Sequence, residues 1–218
     1  MNNAHLAALI VLATGAVACS SDDSTSADAD GGTKVTTPDT GTAVDYPTGP
    51  YGVDVGDILP NFALTGFVNE SATGASTDGT FEDYSLAQLK ATGAKYAFIH
   101  VSAADSDLSQ AAAKLLGEKG GAMVAAGAQI VEVLAGKPGT PVKRADLESW
   151  ISDNALTVTT VTDSEASPLT VLDAAAGQPE SGFIIEMPKM VITWTAKGTT
   201  EYSTVEDGLH WLDSLLSE

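Results

Sequence analysis

Residues 95–116 read KYAFIHVSAADSDLSQAAAKLL, and this stretch decides the fold. From Tyr96 to Ser102 the chain is apolar enough to form a buried strand. A short polar turn, Ala103 to Asp107, follows. Beyond it Leu108, Ala111, Ala112, Leu115 and Leu116 recur at i, i+3, i+4, i+7 and i+8, the spacing of one helical face. A turn between a strand and a helix is where α/β proteins usually place their chemistry. It lies at the carboxyl end of the strand, and the helix start offers unpaired N–H groups and a partial positive charge. The polar side chains here are Asp105, Ser106, Asp107 and Ser109, with no cysteine among them.

On both sides of this unit, elements alternate. Phe62 to Val68 has strand character, and residues 69–80 read as a loop of Ser, Thr, Gly and Asp. Ser85 and Gln88 form a capping-box pattern that opens a short helix ending near Gly93. Gly117, Gly120 and Gly121 predict a break in the helix that starts at the central turn, because each costs about 1 kcal/mol relative to Ala. Gln129 to Leu134 is the next strand, and Ala145 to Asn154 the next helix. Leu156 to Val161 is a further strand, and a short helix is expected over 167–175. Lys189 to Thr195 is a strand that turns at Lys197-Gly198 and pairs back through Thr199 to Tyr202. Thr204 caps a last helix striped by Val205, Leu209, Leu212 and Leu216. Trp150, Trp194 and Trp211 are expected in the core. Alternating strands and helices with a terminal hairpin predict a three-layer α/β/α sandwich around a central mixed sheet.

The chain has 218 residues, with 29 Asp and Glu against 10 Lys and Arg, a formal charge of −19. Nothing in that balance would neutralise phosphates, so no nucleic acid is expected, and electrostatic attachment to anionic lipid is excluded as well. His5, His100 and His210 lie far apart in sequence, and no spacing predicts a metal site or a cofactor. Asp28-Ala29-Asp30-Gly31 lacks the spacing and terminal Glu of a calcium loop.

Residues 4–18, AHLAALIVLATGAVA, are apolar and small, too short for a comfortable membrane span, and read as part of a signal peptide covering 1–18. Cys19 is the only cysteine of the chain and follows directly. Residues 19–45 are rich in Ser, Thr, Asp and Gly and contain no aromatic residue, which predicts a disordered tether. The folded domain is expected over 46–218.

Two resemblances complete the reading. Ala16-Val17-Ala18-Cys19 resembles the bacterial lipobox, with Ala16 where Leu is usual. That resemblance implies diacylglyceryl modification of Cys19 and, because Ser20 follows it, an outer-membrane destination. Residues 51–218 resemble the thioredoxin-like superfamily, in its extracytoplasmic thiol-disulfide oxidoreductase and peroxiredoxin-like branch. The similarity rests on Pro50, Tyr51, Gly52, Val55, Gly56, Asp57, Pro60, Asn61, Phe62 and Leu64, on the strand FIHVSA, and on Met187-Pro188. Laid on the family pattern, Asp105 takes the tryptophan position, and Ser106 and Ser109 take the two cysteine positions of CxxC. Met187-Pro188 is then expected to be the cis-proline loop facing residues 101–109. The resemblance thus implies a vestigial site of Asp105, Ser106, Ser109, Met187 and Pro188.

A serine hydroxyl neither ionises in the range of a cysteine thiol nor forms a disulfide, so no catalytic residue and no redox activity are expected. The expected role is a binding or scaffolding module for a protein or peptide partner in the cell envelope, touching the membrane only through its lipid. Two alternatives remain at this point. One is a thiol-free enzyme in which Ser106, His100 and Asp163 converge. The other is an oxidoreductase or antioxidant activity of the family kind.

Overall fold

The computed structural model describes residues 45–136, 140–163, 180–197 and 204–218. Tyr96–Ala103 is a strand (β3), and every residue from Tyr96 to Ser102 is buried. An unbroken apolar run of this kind belongs to a strand covered on both faces. The other strands are β1 (Ala63–Val68), β2 (Thr80–Ser85), β4 (Gln129–Ala135), β5 (Thr159–Thr162), β6 (Glu180–Glu186) and β7 (Val191–Lys197). The helices are α1 (Leu86–Ala91), α2 (Asp107–Ala125), α3 (Arg144–Asn154) and α4 (Thr204–Leu216). The strands form one mixed sheet in the order β2-β1-β5-β4-β3-β6-β7. β3 pairs in parallel with β4 and antiparallel with β6.

Alternation along the strands sends side chains to two faces. Ala97, Ile99, Val101, Val131 and Val133 pack with Leu86 and Leu89 of α1 and with Leu59 and Phe62 of the leading segment. Phe98, Ile130 and Leu134 pack on the other face with α2, α3 and α4, through Leu116, Trp150, Ile151, Leu209 and Leu212 among others. The predicted three-layer sandwich is present. Each fully buried Leu or Ile contributes about 1.5–3 kcal/mol to holding it.

Several expectations are corrected. The glycines do not break α2, which runs continuously to Ala125. A Cβ on Gly117 would lie 2.1 Å from the Asn154 carbonyl oxygen, and one on Gly120 would lie 3.0 Å from Val158 Cγ1. The glycines let α2 approach the α3–β5 connection, and that packing outweighs propensity. The buried face of α2 is Ser109, Ala112, Ala113, Leu116 and Gly120, rotated from the stripe read in sequence, and Ala111 is exposed. Between the expected loop and α1 the chain forms strand β2, which the sequence reading did not assign, an edge strand with Glu82 and Asp83 exposed. β7 runs through Lys197 and pairs with β6. The expected partner strand over Thr199–Tyr202 and the expected helix over 167–175 lie outside the described residues. Trp150 is buried, whereas Trp211 is 47% exposed.

The two borders of the sheet differ. On β7, the Ile192 N–H donates to the Asp57 carbonyl, and the Gly56 N–H donates to the Ile192 carbonyl. On the other side, Arg144 lies over the rings of Phe67 and Phe81, 5.2 and 4.6 Å from their centroids, and ties α3 to the β1–β2 hairpin.

Candidate functional site

The turn after β3 is built from main-chain bonds and two hydroxyls. The Ser106 N–H donates to the Ala103 carbonyl at 3.1 Å, and the Ala104 N–H to the Ala135 carbonyl at 3.2 Å. Ser106 is the N-cap of α2, with extended backbone, and its Oγ accepts from the Ser109 N–H at 3.2 Å. Ser109 is fully buried, and its Oγ accepts from the Ala103 N–H at 3.0 Å. Asp107 opens the helix, where a negative charge suits the macrodipole. Ala104 and Asp105 are exposed. The two serines are thus brought together as expected, each as a backbone partner.

Met187 and Pro188 are not part of this constellation. They belong to the Met187–Met190 turn between β6 and β7, and the Met187 N–H donates to the Lys95 carbonyl. Because β6 runs antiparallel to β3, with Tyr96 opposite Glu186 and Ser102 opposite Glu180, this turn sits at the start of β3. The serines sit at its other end, roughly 23 Å away at about 3.3 Å per residue. The cis peptide among the described residues is Gly49–Pro50, and the bond before Pro188 is trans. The strand that returns beside β3 at the serine end begins at Glu180, and residues 164–179 ahead of it lie outside the described residues. Cys19 lies outside them too.

Beneath the turn is a cluster that sequence reasoning did not assemble. His100, Glu132 and Glu180 come from three adjacent strands and share the face covered by α2, α3 and α4, and all three are fully buried. His100 Nδ1 lies 2.6 Å from Glu132 Oε2, and Nε2 lies 3.2 Å from Glu180 Oε2. Glu132 Oε1 accepts from the Trp150 indole N–H at 3.1 Å. Glu180 Oε1 accepts from the Thr204 N–H, at the first residue of α4, at 2.9 Å. Phe98 stacks on the imidazole, ring centroids 6.2 Å apart. Burial alone would depress the His100 pKa. The charge and hydrogen bonds of Glu132 and Glu180 reverse that and raise it to about 9. At neutral pH the ring is therefore an imidazolium donating from both nitrogens.

This arrangement makes His100 a satisfied core histidine and removes it as a base for Ser106. Both ring nitrogens face carboxylates, and Asp163, buried at the end of β5, is not among the charges acting on the ring. The convergence of Ser106, His100 and Asp163 is absent. The two carboxylates bracket one ring from opposite nitrogens and so do not converge as metal ligands do. Among the described residues no group of three His, Cys, Asp or Glu side chains could hold a metal ion. The signal for the cluster was present in sequence. Glu132 in QIVEVL and His100 in FIHVS interrupt apolar faces, and a polar group buried there needs partners.

No protein-family model matches the sequence, and no curated protein matches it. Solved structures do. A Chlorobium tepidum protein described as the thiol:disulfide interchange protein DsbE aligns with a TM-score of 0.51 and 14% identity, over 76% of this chain and 99% of that one. Mycobacterium tuberculosis AhpC aligns at 0.54 and 16% identity, over 76% of this chain and 94% of that one. Plasmodium vivax 2-Cys peroxiredoxin aligns at 0.51 and 12%, over 75% and 82%. The chain has the thioredoxin-like fold.

Proposed function

We propose that this protein is a redox-inactive thioredoxin-like module that binds or scaffolds a protein or peptide partner in the cell envelope, held to the membrane by lipid on Cys19. The observation that carries the reading is the chemistry at the start of α2. Ser106 caps the helix and Ser109 receives the Ala103 N–H, so both hydroxyls serve the backbone where thiols would act. Cys19 is the only cysteine of the chain and lies ahead of the folded domain in sequence. The partner-facing surface is the pole of the sheet that carries exposed Ala104 and Asp105.

Outer-membrane anchoring rests on the Ala16–Cys19 pattern and Ser20. No helix among the described residues is long and apolar enough to cross a membrane. Three measurements test the proposal. Insulin-reduction and peroxide-consumption assays on the full chain read zero, and turnover in either one ends the redox-inactive reading. A photo-crosslinker at Ala104 or Asp105 captures a discrete envelope partner while one at Pro188 does not. Equal capture, or none, rules out that surface. Cys19→Ala shifts the protein from the membrane to the soluble fraction, and continued membrane recovery would exclude the anchor.

A further inference from the structure

Of the two rims of the sheet, β2 forms the open one. On β7, Gly56 and Asp57 already bond the main chain of Ile192. Beyond β2 the sheet has no further strand among the described residues. All six residues of β2 pair with β1 in unbroken register, whereas the β6–β7 ladder shifts between Ile184 and Ile185. In an antiparallel pair, every second residue of the outer strand turns its N–H and C=O away from its partner. From Thr80 to Asp83, one further main-chain bond is made among the described residues, from the Gln88 side-chain amide to the Asp83 carbonyl at 3.4 Å.

Sheets blunt such an edge with a bulge, a proline or charge. β2 has neither bulge nor proline, so charge is what guards it. That guard is selective by sign. Glu82 and Asp83 repel a second acidic copy of this chain and attract a strand of opposite charge.

The two faces of the edge differ. On one, Asp83 accepts from the Thr65 hydroxyl at 3.0 Å, and the Arg144 guanidinium lies over the Phe81 ring, so the acid is bonded and a cation is already in place. The other face carries Glu82 and Tyr84, two residues apart on the strand. Glu70 lies near them. Partial burial and then the charge of Glu82 raise the Glu70 pKa, and burial and then the charge of Glu70 raise that of Tyr84. The ion pairs among the described residues engage other acids, namely Glu132, Glu148, Glu180 and Glu186. The Tyr84 hydroxyl is buried and has no hydrogen-bond partner among the described residues. This face therefore joins two carboxylates that lack a countercharge to an orphaned hydroxyl.

We propose that the β2 edge docks an extended, lysine- or arginine-bearing segment of another protein, which adds to the sheet as a further strand and sets its basic side chains on the Glu82 face. Main-chain bonds to the outward N–H and C=O groups supply affinity, and the alternate side chains supply the choice of partner. Side chains directly opposite on neighbouring strands stand about 4.5–5.5 Å apart at Cβ, within a lysine's reach of Glu82. This edge is four strands from β3, roughly 19 Å at about 4.8 Å per strand, so it is separate from the surface at Ala104 and Asp105.

Amide hydrogen exchange and calorimetric titration of the full chain test the proposal with synthetic peptides. The first peptide alternates lysine and threonine, the second alternates glutamate and threonine, and the third is the lysine peptide with N-methylated amides. The lysine–threonine peptide is expected to slow exchange of β2 amides, to leave β7 and residues 103–109 unchanged, and to bind more weakly as salt rises. The glutamate and N-methylated peptides are expected not to bind. Glu70→Gln combined with Glu82→Gln, both at exposed positions, is expected to weaken the lysine peptide about fivefold, the upper range for an exposed ion pair. No slowing in β2, or slowing at 103–109 instead, overturns the docking edge. Equal binding of the glutamate peptide overturns the charge selection, and equal binding of the N-methylated peptide overturns strand addition. A double variant that binds as tightly as the wild type overturns the role of the Glu82 face. None of these readouts depends on the redox or crosslinking results at the other surface.

Discussion

Ser106 and Ser109 sit three residues apart, but they hold different groups, and their substitutions separate accordingly. Ser106→Ala removes an N-cap acceptor at a solvent-accessible helix start, so it lowers stability by about 1 kcal/mol in urea denaturation. Ser109→Ala strips the Ala103 N–H of its hydroxyl partner in a buried setting, and about 1–3 kcal/mol is expected in the same measurement. Glu132→Gln is the severest of the series. It leaves the imidazolium short of one countercharge in the core, and a loss of about 3–5 kcal/mol follows by the same denaturation curve. The serines were legible in the sequence because a cap before an apolar-periodic run is a local signal. The partners of His100 were not, because Glu132 is 32 residues away and Glu180 is 80 residues away, and only the register of three strands brings them to one ring.

Elements were read best where periodicity was local. β1, β3, β4 and α3 fall within a residue or so of their expected bounds, and Ser85 caps α1 through the Gln88 N–H as the capping pattern predicts. Errors arose where tertiary packing overrides local preference. α2 keeps its glycines because they clear the Asn154 carbonyl, so Gly117→Ala lowers the melting temperature although propensity alone would favour Ala by about 1 kcal/mol. A melting temperature that rises would mean the helix can shift away from α3. The proline assignment failed for another reason. Two prolines precede strands near the end of the chain, Pro179 before Glu180 and Pro188 before β7, and sequence alone does not say which strand returns beside β3. The antiparallel register assigns that place to β6, which puts Pro188 at the far pole.

At the scale of the molecule, the raised pKa of His100 ties global stability to pH. A group held above its unfolded value stabilises fully below that value, and the contribution fades as pH rises through the folded one. Stability is therefore flat below about 6.5 as far as His100 is concerned and falls as pH approaches about 9. At about 1.4 kcal/mol for each tenfold step, the gap amounts to on the order of 3 kcal/mol. Denaturation midpoints across that range check the sign, and a midpoint that climbs with pH would refute it. The three-layer architecture followed from alternation of strands and helices alone, whereas the strand order needed the sheet itself. That order leaves two rims open to self-association. Main-chain bonds from Gly56 and Asp57 occupy one, and the other presents the carboxylates of Glu82 and Asp83. A second molecule stacking on β2 would bring these negative groups face to face. Replacing both with valine should accordingly let molecules assemble edge to edge into cross-β fibres, detectable as thioflavin fluorescence on standing.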